Sequence, residues 1–293
     1  MGKVFPDQVM PVVVDRLVHH ATSFEMNFER CRRAAFERKP GRSRPLLHAT
    51  IMPMLRRRIP ILIVAAFLSR SPRDPKAWLQ NPLRSKRRAT ERRGTSAILT
   101  DAVEGALGPL GLERVHLVGH SMGGAIAALG ALRWPARVSS LTLIASAGLG
   151  PEINASFVDG FVRTSRRRET AEILSFLVHD PALVSRTMVE DVLRYKRIDG
   201  VSAALAKIAE AWFPSGRQSL DLTGRIAELA MPVQVMWGRD DRILPVAHAE
   251  ALANRLPVHI LDAAGHLPHM EKAGEVNRLI EQFIGSVSER VGT

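Results

Sequence analysis

From Leu112 onward, hydrophobic and polar positions follow two alternating rhythms. Short apolar, β-branched runs read as buried parallel strands at Arg114–Val118, Val138–Ala145, Val233–Trp237 and His259–Leu261. Between them, apolar residues recur at three- and four-residue spacing. They predict helices over Met122–Arg133, stopped by Trp134-Pro135, over Val246–Leu256 and over Lys272–Ile284. Further upstream, Thr95–Leu107 carries Ile98, Leu99, Ala102, Val103 and Ala106 at helical spacing and ends in the small-residue break Gly108–Gly111. The run Ile61–Phe67 after Pro60 reads as one more buried strand. Pro151–Gly216 differs: it is a series of amphipathic helical patterns with no strand. Strand–helix alternation predicts an α/β chain with a mostly parallel sheet and helices on both faces. The strandless stretch predicts a helical cap inserted at about 151–220, in a domain spanning 59–293.

The first 58 residues carry no such rhythm and read as an atypical basic segment. Val12–Val18 is apolar, and Thr22–Phe36 predicts a helix with Phe24, Phe28 and Cys31 on one face. Lys39–Pro45 is a basic break. Asp74–Leu83, with Trp78, starts another helix, and Arg84–Gly94 has six basic residues in eleven and reads as a loop. The net charge of +12 over 293 residues is confined to this part. Residues 1–100 hold 21 Lys/Arg against 7 Asp/Glu, a net of +14, whereas residues 101–293 hold 20 against 22, a net of −2. Such a basic third suits an anionic partner, but it lacks interleaved aromatics and any nucleic-acid module. No nucleic-acid partner is expected, and a solvated segment is the plainer reading. Cys31 is the single cysteine, which excludes an internal disulfide and suits a reducing compartment. The longest apolar run, Ile59–Leu68, has ten residues and is too short to span a bilayer. With no signal-peptide layout at the N-terminus, a soluble cytoplasmic protein without a membrane partner is expected.

Candidate chemistry centres on V-H-L-V-G-H-S-M-G-G at 115–124. An apolar strand, Gly-x-Ser-x-Gly and an Ala-rich helix form the layout that lifts a Ser to the tip of a strand, here Ser121. Gly119 and Gly123 suit a turn with little room for a Cβ. A Ser hydroxyl needs a base, and the base needs an acid to fix its tautomer. In the α/β-hydrolase fold these follow in the order Ser, Asp/Glu, His. The loop after Val233–Trp237 offers Asp240 and Asp241, with Gly-x-x-Asp-x-x-x-Pro spacing favouring Asp241. The loop after the last strand offers His266, with His269 as the alternative base. His120, beside Ser121, is read as lining the substrate pocket, and His116 as a core or surface residue of the strand. The remaining histidines have no metal-ligand spacing, so no metal is expected. Two backbone N–H donors are needed for an oxyanion: Met122, directly after Ser121, and a residue after the strand Ile61–Val64, read as Phe67.

At this resolution of detail the chain resembles the α/β-hydrolase superfamily. Leu112–Gln218 is similar to the catalytic domain of the acetyltransferase (dihydrolipoamide acetyltransferase) component of acetoin dehydrogenase complexes. Beyond the Ser121 motif, the resemblance is carried by A-G-L-G-P-E-I-N at 147–154, D-G-F-V-R at 159–163, D-P-A-L-V at 180–184 and M-V-E-D-V-L-R-Y-K-R-I-D-G-V at 188–201. V-Q-V-M-W-G-R-D-D-R-I-L-P and A-G-H-L-P-H-M-E, which hold Asp241 and His266, also match. It covers roughly residues 95–285 and implies Ser121 as nucleophile, Asp241 as acid and His266 as base. Upstream the chain departs. The His-Gly that follows the early strand in this fold is Ala65-Ala66 here, no Asp-Lys pair marks a lipoyl domain in residues 1–94, and the Arg-rich stretch stands where a strand with an Asp-x-Pro-Gly-x-Gly loop belongs. This break predicts that the upstream third is partly deleted or read out of frame, which the nucleotide sequence across codons 59–95 tests.

Three functions follow as expectations. The resemblance implies acetyl transfer from dihydrolipoamide to coenzyme A through a Ser121 acyl-enzyme, with acetoin dehydrogenase components as partners and both thiols as substrates rather than resident cofactors. Arg166–Arg168 and Arg194–Arg197 are then either contacts for coenzyme A phosphates or a solvated helix face. Hydrolysis of a small ester or thioester uses the same three residues. A non-catalytic member acting through its basic N-terminal third is the third reading.

Overall fold

Successive strand residues point to opposite faces, so the apolar runs of this chain bury both faces of one sheet. The structure, a computed structural model, describes residues 61–65, 95–107 and 112–291. The expectations for the segment 1–58, Phe67, the helix 74–83 and the stretch 84–94 lie outside the described residues. Among the described residues five strands, β1 (Ile61–Ala65), β2 (Val115–His120), β3 (Val138–Ile144), β4 (Val233–Gly238) and β5 (Val258–Leu261), form a parallel sheet in the order β1-β2-β3-β4-β5. The register pairs Ala65 with His120, His120 with Ile144, Ile144 with Met236 and Gly238 with Leu261, so the carboxyl ends of the strands share one edge.

The two faces carry different helices. Val115, Leu117, Leu141, Leu143, Val235 and Trp237 pack in a cluster with α1 (Thr95–Leu107), through Leu99, Val103 and Leu107, and with the Ala-rich face of α2 (Met122–Arg133). Val118, Ile144, Met236 and Leu261 pack on the opposite side against Val276, Ile280 and Ile284 of the closing helix. This is the α/β-hydrolase arrangement of a parallel sheet with helices on both faces.

Between β3 and β4 the chain contributes four helices of nine or more residues: α3 (Ala155–Arg163), α4 (Arg167–Ser175), α5 (Arg186–Lys196) and α6 (Val201–Trp212). Asn154 and Ser185 start α3 and α5 by accepting from the amides of Phe157 (2.9 Å) and Met188 (3.1 Å), the usual satisfaction of a free helix N-terminus. The two ends of the insertion are zipped together. Glu152 bridges to Arg217, the Gln218 amide donates to the Pro151 carbonyl (2.9 Å), and the Gln218 side chain accepts from Gly148 (2.7 Å) and donates to the carbonyls of Gly150 and Glu152.

After a short helix, α7 (Thr223–Ile226), the chain re-enters the sheet. The helix expected at Val246–Leu256 is regular only over α8 (Ala247–Glu250), because several amides beyond it bond carbonyls three rather than four residues back, which tightens the chain into turns. A four-residue turn of helix, α9 (Pro268–Glu271), precedes the closing helix α10 (Ala273–Val291). α10 extends beyond the expected end at Ile284, since Val287 continues its buried stripe.

Candidate active site

The peptide geometry at Ser121 is set by its neighbours. Its φ of 53° and ψ of −126° lie in a region that costs a non-glycine residue of order 1–3 kcal/mol. The conformation is held from both sides: the Ser121 amide donates to the Ile144 carbonyl (3.0 Å), and the Ser121 carbonyl accepts from Gly124 (2.9 Å) and Ala147 (3.0 Å). The turn closes so tightly that a Cβ on Gly119 would stand 2.6 Å from the Gly123 oxygen and the Gly124 Cα. One on Gly124 would strike the Ser146 hydroxyl. The close approach expected at Gly119 and Gly123 therefore involves Gly124 as well.

Ser121, His266 and Asp241 meet at the carboxyl edge of the sheet. The Ser121 hydroxyl lies 2.9 Å from His266 Nε2, and His266 Nδ1 lies 2.8 Å from Asp241 Oδ2. A carboxylate only accepts, so Nδ1 carries the proton and Nε2 is free to accept from Ser121. The other Asp241 oxygen accepts from the amides of Ile243 (2.8 Å) and Leu244 (3.0 Å). Both side chains are sealed, at 3% exposure for His266 and 0% for Asp241. Asp240, the alternative acid, faces elsewhere: its carboxylate pairs with His179 Nδ1 at 2.9 Å on the surface, with 44% and 46% of the two side chains exposed. Met122 is the first residue of α2, so its amide is one of the unsatisfied donors at a helix N-terminus, where the dipole favours negative charge.

His120 is buried between two other imidazoles, with ring centroids 4.9 Å from His266 and 4.6 Å from His269. Its Nε2 donates to the His266 carbonyl at 2.8 Å, a contact to the loop that carries His266. Burial, then the neighbouring His269 and His266, push its pKa well below the usual value. His269 makes no bond to Ser121; burial, then His266, lower it to about 4, and its enclosed Nδ1 has no hydrogen-bond partner. His116 is a buried strand residue 2.8 Å from the Ser140 hydroxyl, lowered by burial and then by Arg114. Among the described residues no group of three His, Cys, Asp or Glu side chains is placed to hold a metal ion.

The basic cap residues are largely spoken for. Arg166, Arg167, Arg168 and Arg194 pair with Glu169, Glu190, Glu172 and Asp191. Lys196 turns inward and donates to the carbonyls of Phe161, Val162 and Thr164 at the end of α3, where desolvation lowers its pKa.

This geometry agrees with what the chain is similar to. The family model described as "alpha/beta hydrolase fold" matches residues 69–273. The chain belongs to the α/β-hydrolase fold family. It is 43% identical over 175 residues to the dihydrolipoyllysine-residue acetyltransferase component of the acetoin cleaving system of Cupriavidus necator, covering 60% of this chain and 47% of that protein. The corresponding component of Pseudomonas putida is 41% identical over 192 residues, covering 66% and 51%. The chain thus spans about half the length of these relatives. A 2-hydroxy-6-oxononadienedioate/2-hydroxy-6-oxononatrienedioate hydrolase of Cupriavidus pinatubonensis is 29% identical over 197 residues, covering 63% and 66%. Among solved structures, a meta-cleavage product hydrolase from Pseudomonas fluorescens IP01 superposes with a TM-score of 0.60 at 21% identity, covering 68% of this chain and 75% of that one, which speaks for the fold.

Within this family member the loops that carry Asp241 and His266 have supports that sequence reading missed. The Arg242 guanidinium reaches the carbonyls of Ser175 and Val178, and the Glu271 carboxylate accepts from the amide of Gly265. Both residues stand inside the quoted matching motifs, which is the signal that marks them, but only the fold shows what they hold. No helix among the described residues is long and apolar enough to cross a membrane.

Proposed function

We propose that the chain is a serine-dependent acyl-transfer enzyme in which Ser121 is the nucleophile, His266 the base and Asp241 the acid. The observation that supports this is the unbroken hydrogen-bond chain from the Ser121 hydroxyl through His266 to the sealed Asp241 carboxylate. In the first step His266 Nε2 takes the hydroxyl proton as Ser121 Oγ bonds the acyl carbon. The carbonyl becomes an oxyanion facing the Met122 amide at the start of α2. Collapse expels the thiol or alcohol, which takes the proton back from His266, and an acyl-Ser121 ester remains. An acceptor thiol or water then reverses the sequence. Asp241 holds the imidazole in the tautomer that leaves Nε2 able to accept.

The finer reading is acetyl transfer from dihydrolipoamide to coenzyme A, in association with other acetoin-cleaving components in the cytoplasm. Its support is the identity of more than 40% to two acetyltransferase components. Hydrolysis with water as acceptor is a second reading. It is favoured by the 29% identity to a 2-hydroxy-6-oxononadienedioate/2-hydroxy-6-oxononatrienedioate hydrolase, in a chain whose same three residues serve either acceptor. The two separate when acetyl-dihydrolipoamide is supplied with and without coenzyme A. Acetyl-coenzyme A as main product supports transfer, and free acetate at an unchanged rate overturns it. Labelling of the chain by a fluorophosphonate tests the nucleophile. Ser121→Ala abolishes labelling and turnover, at least ~10³-fold, while leaving thermal unfolding close to the parent, because the side chain stands at a turn tip. Turnover retained by that variant would remove Ser121 from the mechanism.

A further inference from the structure

The segment 176–180, which follows α4 in the cap, touches both loops of the site. Its Val178 carbonyl and the carbonyl of Ser175, the last residue of α4, accept from Arg242, next to the acid, and the Arg242 guanidinium sits 5.3 Å from the Phe176 ring centre. Around the base it is closer still. The Leu267 amide donates to the Leu177 carbonyl at 3.1 Å. Gly265 lies against the segment's main chain, where a Cβ would stand 2.8 Å from the Val178 carbonyl carbon and 2.9 Å from the His179 nitrogen. Glu271 joins the two. One carboxylate oxygen accepts from the Gly265 amide (2.6 Å), and the other accepts from the amides of His179 (2.7 Å) and Asp180 (3.4 Å). Residues 265 and 267 flank His266, so each neighbour of the base is fastened to the cap.

We propose that Glu271 is a positioning residue that locks the loop carrying His266 to the cap segment 176–180, so that the base is held in line with Ser121 by the cap through one bridging carboxylate. The proposal rests on His266 being the base. A carboxylate suits the task because it accepts on both sides and donates on neither, and charge-assisted bonds to amides are about twice as strong as neutral ones. A glutamine at this place retains the shape but presents an NH₂ to one of the two sets of N–H donors, which breaks one half of the bridge. An alanine at 265 wedges the same junction open with the carboxylate intact. A displacement of the base by about 1 Å is enough to cost of order 10²-fold in rate.

The test is the rate at which a small fluorophosphonate labels Ser121, since this needs an aligned base and little recognition of a natural acyl group. Glu271→Gln and Gly265→Ala are each expected to slow labelling about 10- to 100-fold, while the exposed Glu275→Gln on α10 leaves it unchanged. The double variant is expected to lose little more than the slower single one, because both changes break the same link. Labelling at the parent rate in folded Glu271→Gln, or losses that multiply in the double variant, would overturn the proposal. Labelling that persists in Ser121→Ala would instead remove the underlying reading, which separates the two failures. Should the variants not fold, amide hydrogen exchange of the unaltered protein decides. His179 and Gly265 protected together supports the bridge, and His179 exchanging as an open amide beside a protected Gly265 overturns it.

Discussion

The two halves of the site are held in opposite ways. Ser121 is fixed by its own neighbourhood: β2, the turn and α2 are contiguous, and Gly119 and Gly124 let the chain fold back on itself at main-chain contact distance. Asp241 and His266 sit at the ends of β4 and β5 on loops that have little internal structure of their own. Beyond the local bonds from the Ile243 and Leu244 amides to Asp241, their places come from distant residues: Arg242 on the cap carbonyls, Asp240 N–H on the Ala264 carbonyl (2.9 Å), His120 on the His266 carbonyl, and Glu271 across to His179. Ser121, the proposed nucleophile, is therefore mainly a feature of one contiguous turn. Asp241 and His266, the proposed acid and base, are in larger part a tertiary feature, tied to the cap through Arg242 and Glu271. Changes to the glycines that close the Ser121 turn should therefore act first on stability, and changes to the carboxylates that hold the His266 imidazole and its loop first on rate.

The largest expected effect lies on the rate side. Asp241→Asn keeps an oxygen for the amides of Ile243 and Leu244, so the loop should fold. Its NH₂ opposes the His266 Nδ1 proton and favours the wrong tautomer, with a loss in kcat of about 10⁴-fold. Asp240→Asn, which disturbs only a surface pair with His179, should stay within a few-fold of the parent. Steady-state turnover of a chromogenic ester checks both, and equal losses would show that the acid is not a single residue. Next in size is Gly119→Ala. Its methyl meets main-chain atoms of Gly123 and Gly124 that cannot rotate away, and a destabilisation of about 3 kcal/mol is expected in urea unfolding. A loss below about 1 kcal/mol would mean that the elbow yields more readily than its packing implies.

The same contrast explains what could be read without the structure. Helices α1 and α2 and strands β2, β3 and β4 were legible because each is defined by its own periodicity, and the Ser121 elbow because it is one unbroken stretch. The order Ser, Asp, His named the partners of Ser121, but the choice between Asp240 and Asp241 rested on spacing to Pro245. Only the fold shows Asp241 turned inward and Asp240 turned to His179. The tasks of Glu271, Gln218 and Arg242 were hidden for the same reason, although Glu271 and Arg242 stand inside the matching motifs. A carboxylate that accepts from amides 6 and 92 residues away in the chain has no local signature. The helix at 246–256 was overextended because its composition is helical while its turns tighten beyond Glu250, and composition does not report that.

A smaller effect would sharpen the comparison by asking where the pH sensitivity of the fold resides. His269, packed beside His120, is lowered to about 4 from an ordinary 6.5, by burial first and by His266 second. Between these values the unfolded chain takes up a proton here that the folded chain does not. The stability is therefore whole above pH 6.5, falls as pH drops through that window, and is fully lost below about 4. From pH 7 to pH 5 the loss from this residue is about 2 kcal/mol. His269→Leu removes that share and, since Nδ1 has no partner, should cost little at pH 7. His120 is lowered by the same surroundings, so the variant should retain a shallower slope rather than none. Urea unfolding of parent and variant at pH 7 and pH 5 measures the difference. A variant that loses as much stability as the parent would show that His269 does not titrate in this window. It would also return the acid sensitivity of the fold to residues away from the base loop.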